Sequence, residues 1–583
     1  MFQTVETEHG PMHVEWDVPI TMSDGLMLRA DVFRPVDGVA VPVLLSAGPY
    51  SKGLTFQDGY PTAWEKMITD HPDVAEGSSN RFQNWEVADP ERWVALGYAC
   101  VRVDVRGSGR SPGFLDLFSE RETHDYYECI EWAGTQTWST GKVGLSGISY
   151  LAMNQWQVAA LRPPHLAAMC AWEGASDWYR DVTHHGGILC GWTENWYEMQ
   201  VLPVQYGNRR EVTNPHTGQR VTGDEVLDDL ALTGNRTDYG GRNRMHAFDD
   251  EYFGAVNPDL SQIEVPLLSA GNWGGAGLHL RGNVEGYLAA GSRQKWLEMH
   301  GLEHWTEYYT AYGRDLQQRF FDHFLKGIDN GWDKQPPVLL RIRHVDGTFK
   351  DRPESTWPLA STEWTDLYLD ASEGALHTAL PEPAHTAYDE LGDGVTFLMP
   401  PSDRTVEITG PLTLKLFISS DTDDADLFVV VRVFDPDNKE ITFVGALDPH
   451  SPPAQGWLRA SHRRLDPDRS TSYRPFHPHD TRDPLDPGCI YEVDVEILPT
   501  SLVLPPGYRL AVTVQGHDYE FHSAGPAQLS NIKGAMRGSG PFLHVDPTDR
   551  PIYDPNVPAT AAKISIYTGG NTPSRLLVPF IPQ

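Results

Sequence analysis

Cysteine is scarce: the chain carries five (Cys100, Cys129, Cys170, Cys190 and Cys489) in 583 residues, with no Cys-x-x-Cys spacing. An odd, scattered set excludes a disulfide framework and a zinc ribbon, and it suits a reducing compartment. Positive charge is also short. Lys and Arg number 46 against 80 Asp and Glu, a formal net charge of −34. No basic footprint exists for nucleic acid, and an anionic membrane surface is disfavoured for the same reason. Apolar runs are brief, none approaching the roughly 18–20 residues of a spanning helix. The opening MFQTVETEHG has neither a basic nor an apolar signal region, so no secretory signal is expected and a cytoplasmic location is. Fixed-period repeats and low-complexity tracts are missing too. What remains is a globular balance, 40% hydrophobic and 22% charged, which rules out a mostly disordered or coiled-coil chain. Its 53 glycines and 45 prolines imply many turns. The length implies several folding units.

Three textures follow one another. In residues 1–170, VPVLLSA (Val41 to Ala47) and ACVRVDV (Ala99 to Val105) are short, β-branched and bounded by turns, as buried strands are. Amphipathic segments such as ETHDYYECIEWAGTQ lie between strands, and this alternation predicts an α/β unit with a largely parallel sheet. Residues 171–262, rich in Trp, Tyr, His and charge, read as an inserted, mainly helical cap. Strand texture resumes in 263–334 with VPLLSAGN and QKWLEMHG. The helix LQQRFFDHFLKG follows, closed by Gly327 as a C-terminal cap. From 335 to 583, segments such as PPVLLRIRHV, ITGPLTLKLFISS and ADLFVVVRVFDP alternate with Pro/Gly/Asp turns and predict a β sandwich or jelly roll. Acidic runs such as DEVLDDL and FDDEYF are most simply solvated surface.

The stretch KVGLSGISYLAMNQWQVAALRP (142–163) carries the sharpest chemistry. A strand, the triplet Gly147-Ile148-Ser149 and a helix make a nucleophile elbow, in which a strained turn presents a serine Oγ above the sheet. Small neighbours are needed at such a turn. Gly147 supplies one, but Leu151 stands at +2 where GxSxG has glycine. Ser146, after Gly144, is the rival, and it sits too far before the helix. Val103 to Gly109 (VDVRGSG) closes a strand some 40 residues earlier with glycines suited to a tight loop.

With these residues in place, the chain resembles the cocaine esterase-like (CocE/NonD) serine hydrolases, relatives of X-Pro dipeptidyl peptidases and α-amino ester hydrolases. The likeness rests on MSDGLMLRADVFRP, PVLLSAGPYSKG, VRVDVRGSGRSPG, VGLSGISYLAMNQWQ, ASDWYRD, FFDHFLKG and ITGPLTLKLFISS, and so spans nearly the whole chain. It implies an α/β-hydrolase domain with an inserted helical cap and a C-terminal jelly roll. It also implies a small-molecule ester or amide substrate and no cofactor, and leaves a homo-oligomer open. Ser149 matches the family nucleophile, the Tyr150 backbone N–H one oxyanion donor, and the Tyr50 hydroxyl the other. The general base falls on His304, with His300 in reserve. The family aspartate has no counterpart: Gly274 stands at its place in Asn272-Trp273-Gly274-Gly275, and no carboxylate occurs between Glu264 and Glu285. Glu285 and Glu303 are the nearest carboxylates in sequence, though Glu303 adjoins His304 and is expected to point elsewhere. A dyad, or a carboxylate from the loop after another strand, is also open, so no acid is named.

Rival readings use the same residues. His300-Gly301-Leu302-Glu303-His304 spells the H-x-x-E-H metal motif, but that motif needs a helix, and a segment after a strand with Gly301 inside it suits a turn. Adjacent His184 and His185 cannot share one helix face, so chelation by that pair is not expected, and no metal is. Trp172, Trp178, Trp192 and Trp196 could line an acyl pocket or fill the cap core. The Gly274 departure also admits a hydrolase-like fold kept as a non-catalytic binding protein.

Overall fold

The structure is a computed structural model and describes residues 1–556 and 561–582. Its first eleven-stranded sheet begins with an antiparallel edge, β1 (Phe2–Thr7), β2 (Gly10–Thr21) and β3 (Met27–Pro35). β4 (Val41–Gly48), β5 (Ala99–Asp104), β6 (Ser139–Ile148) and β7 (Leu166–Trp172) follow in the chain. A two-stranded hairpin, β8 (His184–His185) and β9 (Ile188–Leu189), lies outside the sheet. The sheet continues with β10 (Leu267–Asn272), β11 (Lys295–His300), β12 (Val338–Arg343) and β13 (Phe349–Glu354). Its spatial order is β1-β2-β3-β5-β4-β6-β7-β10-β11-β12-β13.

From β5 to β12 every pairing is parallel. The continuous apolar runs become strands covered on both faces: every residue of β4, β5 and β10 is buried, as crossover helices require. The helix Glu120–Gly134 starts where the Ser119 side chain accepts the Glu122 N–H. The helix Ala311–Lys326 stops at Gly327, whose left-handed φ of 72° is the cap expected there. The carboxyl ends of β4, β6, β7 and β11 open toward one face, where open α/β sheets bind ligands.

The excursion after β7 is less regular than a helical cap. It holds the hairpin, wide helical turns at Trp178–Thr183 and Tyr197–Val201, and four short helices, Trp192–Trp196, Asp229–Gly234, Tyr239–Met245 and Glu251–Val256. Each of the last three begins at an aspartate (Asp228, Asp238 or Asp250) whose side chain accepts a first-turn N–H. Part of the acidic runs therefore caps helices rather than merely coating a surface.

A second, twelve-stranded sheet starts at Glu363. Val406–Ser420 pairs with Tyr491–Leu504 on one side and with Arg575–Ile581 on the other, which closes the sheet into a barrel. Leu412, Leu414, Leu416 and Ile418 alternate into a core shared with Val493, Val495 and Ile497. One assignment moves. PPVLLRIRHV, read with the β half, forms β12 and pairs Val338–Leu340 with Leu297–Met299 of β11. Its alternation announces a strand but not which sheet receives it, so the first sheet extends past residue 335. Among the described residues no helix is long and apolar enough to cross a membrane, and all five cysteines are free.

Candidate active site

Ser149 sits between β6 and the helix Tyr150–Ala160 with φ 59° and ψ −121°. A serine there is strained, and the surrounding contacts must hold it. Its N–H is shared between the carbonyls of Trp172 and Glu173, both at 3.1 Å. A Cβ on Gly147 would lie 2.6 Å from Leu151 Cβ, so the residue two before the serine has to be glycine. Leu151 replaces the expected second glycine because the strand facing it ends in Gly48, where even a Cβ would come within 3.0 Å of Leu151 Cδ2. Ser146 is not in the site. It is fully buried within β6, its hydroxyl 2.7 Å from that of Tyr308.

Tyr50 follows β4. Its hydroxyl accepts the Trp196 indole N–H at 3.0 Å and lies beside Ser149. Burial, then the nearby Glu86 and Tyr60, push this phenol well above its usual range, so it stays a neutral donor. The Tyr150 phenol donates to Glu122 Oε1 at 2.5 Å and points away, whereas its N–H opens the helix and has no intrahelical acceptor. Behind the loop, the buried Asp104 carboxylate accepts the N–H groups of Lys52 at 2.6 Å and Arg110 at 2.8 Å. Gly109 packs so close that a Cβ would meet that carboxylate at 2.2 Å. VDVRGSG is thus the brace of the Tyr50 loop.

His304 and His300 have separate surroundings. His304 lies in the loop after β11 and shares a pocket with Ser149, Tyr50 and Glu86. Its ring stacks on His279 at 5.6 Å and 8°, with Trp305 edge-on. Nε2 is 2.9 Å from Glu86 Oε1 and Nδ1 is 3.7 Å from Glu173 Oε2. Burial, then the charge of His300, pushes this imidazole down to about 3. Glu86 is pushed well above the usual carboxyl range by burial and then by Glu173. A neutral carboxyl donating to a neutral imidazole follows. His300 ends β11, fully buried, with Nδ1 2.6 Å from Glu298 and Nε2 3.0 Å from Glu173. Burial opposes its charge, but the two carboxylates outweigh that and lift it to about 10. The five-residue H-x-x-E-H segment is a strand end and a loop, not a helix.

The missing aspartate has a steric cause. A Cβ on Gly274 would stand 2.4 Å from Gly445 Cα, and the Ala446 N–H donates to the Gly274 carbonyl. The carboxylate beside His304 is instead Glu173, the first residue after β7, with φ 48°. Its Oε1 accepts His300 Nε2 and, at 3.1 Å, Asn272 Nδ2. Oε2 is buried and makes no other hydrogen bond among the described residues, leaving it for His304 Nδ1. Neither carboxylate nearest in sequence reaches the ring: Glu285 pairs with Arg474 at 2.6 Å, and Glu303 with Lys66 at 2.9 Å. Glu173 is a carboxylate from the loop after another strand, a position the sequence leaves open without singling it out. A single acid ending the apolar run LAAMCAW was its only signal in the sequence.

Trp192 and Trp196 line the pocket, while Trp172 packs on His300 and Tyr308 and Trp178 on Phe118. The far wall comes from the barrel half: Ala446, Leu447, Asn531, Ile532 and Phe542. The site so built meets known proteins along its whole length. Residues 24–306 match the X-Pro dipeptidyl-peptidase (S15 family) model, and 330–577 match the X-Pro dipeptidyl-peptidase C-terminal non-catalytic domain. A CocE/NonD family hydrolase from Staphylococcus aureus is 32% identical with a TM-score of 0.82, covering 100% of this chain and 97% of its own. The cocaine esterase of a Rhodococcus species is 25% identical over 88% of this chain and 92% of that protein. A putative serine esterase of Mycobacterium bovis is also 25% identical, over 92% and 95%.

Proposed function

Because the chain belongs to the CocE/NonD hydrolase family, we propose that it cleaves carboxylic esters by way of an acyl-enzyme on Ser149. The observation that carries this reading is a serine held at φ 59° on a strand-to-helix turn, in one pocket with His304 and with Glu173 behind that ring. Ser149 Oγ attacks the carbonyl while His304 Nε2 takes its proton. Glu173 on Nδ1 selects the tautomer and stabilises the imidazolium as it forms. The Tyr50 hydroxyl and the Tyr150 N–H hold the oxyanion, and their rigid mounting means they need no reorganisation as charge develops. At rest the Glu86 carboxyl occupies Nε2, so it must yield that nitrogen when the pocket fills. The His304 imidazolium returns the serine proton to the departing alkoxide as the ester C–O bond breaks. Water, deprotonated by the same base, then attacks the acyl-enzyme, and the proton goes back to Ser149 Oγ as the acid is released.

No cofactor takes part. The barrel half is read as a flattened jelly roll whose rim walls the acyl pocket. An ester is favoured over an amide, because an alkoxide asks less of the general acid than an amine does. Glu173 beside His304 supports an enzyme over a non-catalytic binder, whose only support was the empty aspartate position. The decisive experiment is active-site labelling: a fluorophosphonate should modify Ser149 at one equivalent, and Ser149→Ala should abolish both labelling and aryl-ester turnover. Turnover that survives Ser149→Ala would refute the assignment. A panel of acyl esters, amino-acid esters and X-Pro amides, compared as kcat/KM, decides the leaving group. X-Pro amides winning by orders of magnitude would replace the esterase reading with a dipeptidyl-peptidase one.

A further inference from the structure

A second cluster lies where the β8–β9 hairpin meets the barrel. His185, Cys190 and His544 are all essentially buried, and one ligand atom from each falls within 4.8 Å of the others. His184 takes no part; its ring stacks on Tyr179. Alternation along β8 therefore sends its neighbour His185 the other way.

The hydrogen bonding of the two imidazoles poses a chemical problem. His185 Nε2 is 3.3 Å from the Asp181 carbonyl, which can only accept and so favours a proton on that nitrogen, and the Gly277 carbonyl is a second backbone acceptor for the ring. His544 Nδ1 is 2.7 Å from Asp518 Oδ1, and a carboxylate likewise draws a proton to the nitrogen facing it. Two neutral rings in these tautomers leave lone pairs on His185 Nδ1 and His544 Nε2, and these face each other at 2.9 Å. In these tautomers the facing pair calls for a cation between them or a second proton on one ring; the alternative moves the His185 proton to Nδ1 and leaves Nε2 facing the Asp181 carbonyl without one. The outward partners, a backbone carbonyl and a carboxylate, are the groups that orient metal-bound histidines. The third atom is the Cys190 sulfur.

We propose that His185 Nδ1, His544 Nε2 and Cys190 Sγ form a binding site for a thiophilic d10 cation, Zn2+ or Cu+. Two imidazoles and a thiolate are the donor set such ions prefer. On binding, the Cys190 thiol gives up its proton to solvent, so the ion is held by one anionic and two neutral ligands. Metal–nitrogen bonds of about 2.0 Å need the two nitrogens roughly 3.3 Å apart in a tetrahedral site, a small opening from the present separation. The ion's work is mechanical. Cys190 is two residues from Trp192 and His544 two from Phe542, and these two rings meet edge-on at 5.2 Å in the wall of the Ser149 pocket. The clasp would fix that wall by tying the excursion to the barrel.

The test uses the full chain, produced in zinc- or copper-supplemented medium and purified under reducing conditions. Elemental analysis should find close to one atom of Zn or Cu per chain, and the metal that dominates identifies the ion. Protein stripped with a chelator and refolded with Co2+ should show a thiolate-to-cobalt charge-transfer band. Loaded protein should melt several degrees above stripped protein, because the ion binds only the folded state. Cys190→Ala should lose the metal and the band while melting with the stripped wild type. If the wild type holds neither metal and its melting is unmoved by Zn2+ and Cu+, the proposal fails and the facing nitrogens share a proton instead. Equal binding by Cys190→Ala also overturns it. Should that variant not fold, the wild-type titration decides alone.

Discussion

Two glutamates, Glu86 and Glu173, and two histidines, His300 and His304, make up the proposed base and its surroundings. Glu173 touches both rings, so its replacement separates charge from shape. Glu173→Gln should lower kcat by on the order of 10²–10⁴ while KM changes little, because the transition state, not the ground state, needs the carboxylate behind His304. Restoring the family aspartate should not help. Gly274→Asp forces a Cβ into the Gly445 backbone, so the double variant with Glu173→Gln should stay inactive and melt lower than the single one. The pH profile carries a second expectation. Burial and the charge of His300 hold His304 down to about 3, so the acid limb of kcat/KM should fall well below the usual imidazole range near 6.5. His300→Gln removes the repelling charge and leaves the Glu173 carboxylate to His304 and Asn272. It should keep most activity and move that limb upward. A limb that stays put, or a dead His300→Gln, would instead make His300 the base.

At the level of elements, the site is a junction of strand ends. β7 delivers Glu173, β10 delivers Asn272, and β11 delivers His300, with hydrogen bonds joining all three. That junction should show in stability against pH. His300 is raised to about 10 in the fold, against about 6.5 unfolded. Its contribution is complete below the lower value and is lost as pH climbs through the higher one. Glu173 is also raised, chiefly by burial, which acts in the same direction. Denaturant midpoints should therefore fall between about pH 6.5 and 10, and the slope should flatten in His300→Gln. The strands themselves were legible, since β4, β5 and β10 are short, largely apolar runs buried throughout, and β11 is buried in all but its first residue. The elbow was legible as well, because Gly147 and the following helix leave a local mark. Glu173 was not, since its role depends on which strand lies next to β6 and β10, a property of sheet order that no window of sequence contains. Nor was Glu86, a left-handed residue in a turn that resembles any other acid.

Over the whole molecule, the division into an α/β half and a β half was readable from texture, and the shared wall between them was not. The halves meet across the Ser149 pocket, and the excursion's hairpin is pressed on the barrel at Gly186. That glycine has φ 57°, and a Cβ on it would come 2.1 Å from the Trp457 carbonyl oxygen. The Arg459 N–H donates to the Gly186 carbonyl at 2.8 Å. Gly38 has φ 72° but open space around it, so it isolates the backbone cost of an alanine at positive φ, about 1 kcal/mol. Gly38→Ala should melt slightly early with unchanged kinetics. Gly186→Ala adds a collision between backbones that no rotamer can relieve, so the hairpin must lift from the barrel and carry the chain toward Trp192 with it. Its melting temperature should fall well beyond that of Gly38→Ala, and KM for a bulky acyl ester should rise more than kcat falls, because the wall moves and the Ser149 elbow does not. Equal melting of the two alanine variants would mean that the seam yields freely, and the barrel would then be a neighbour of the pocket rather than part of its wall.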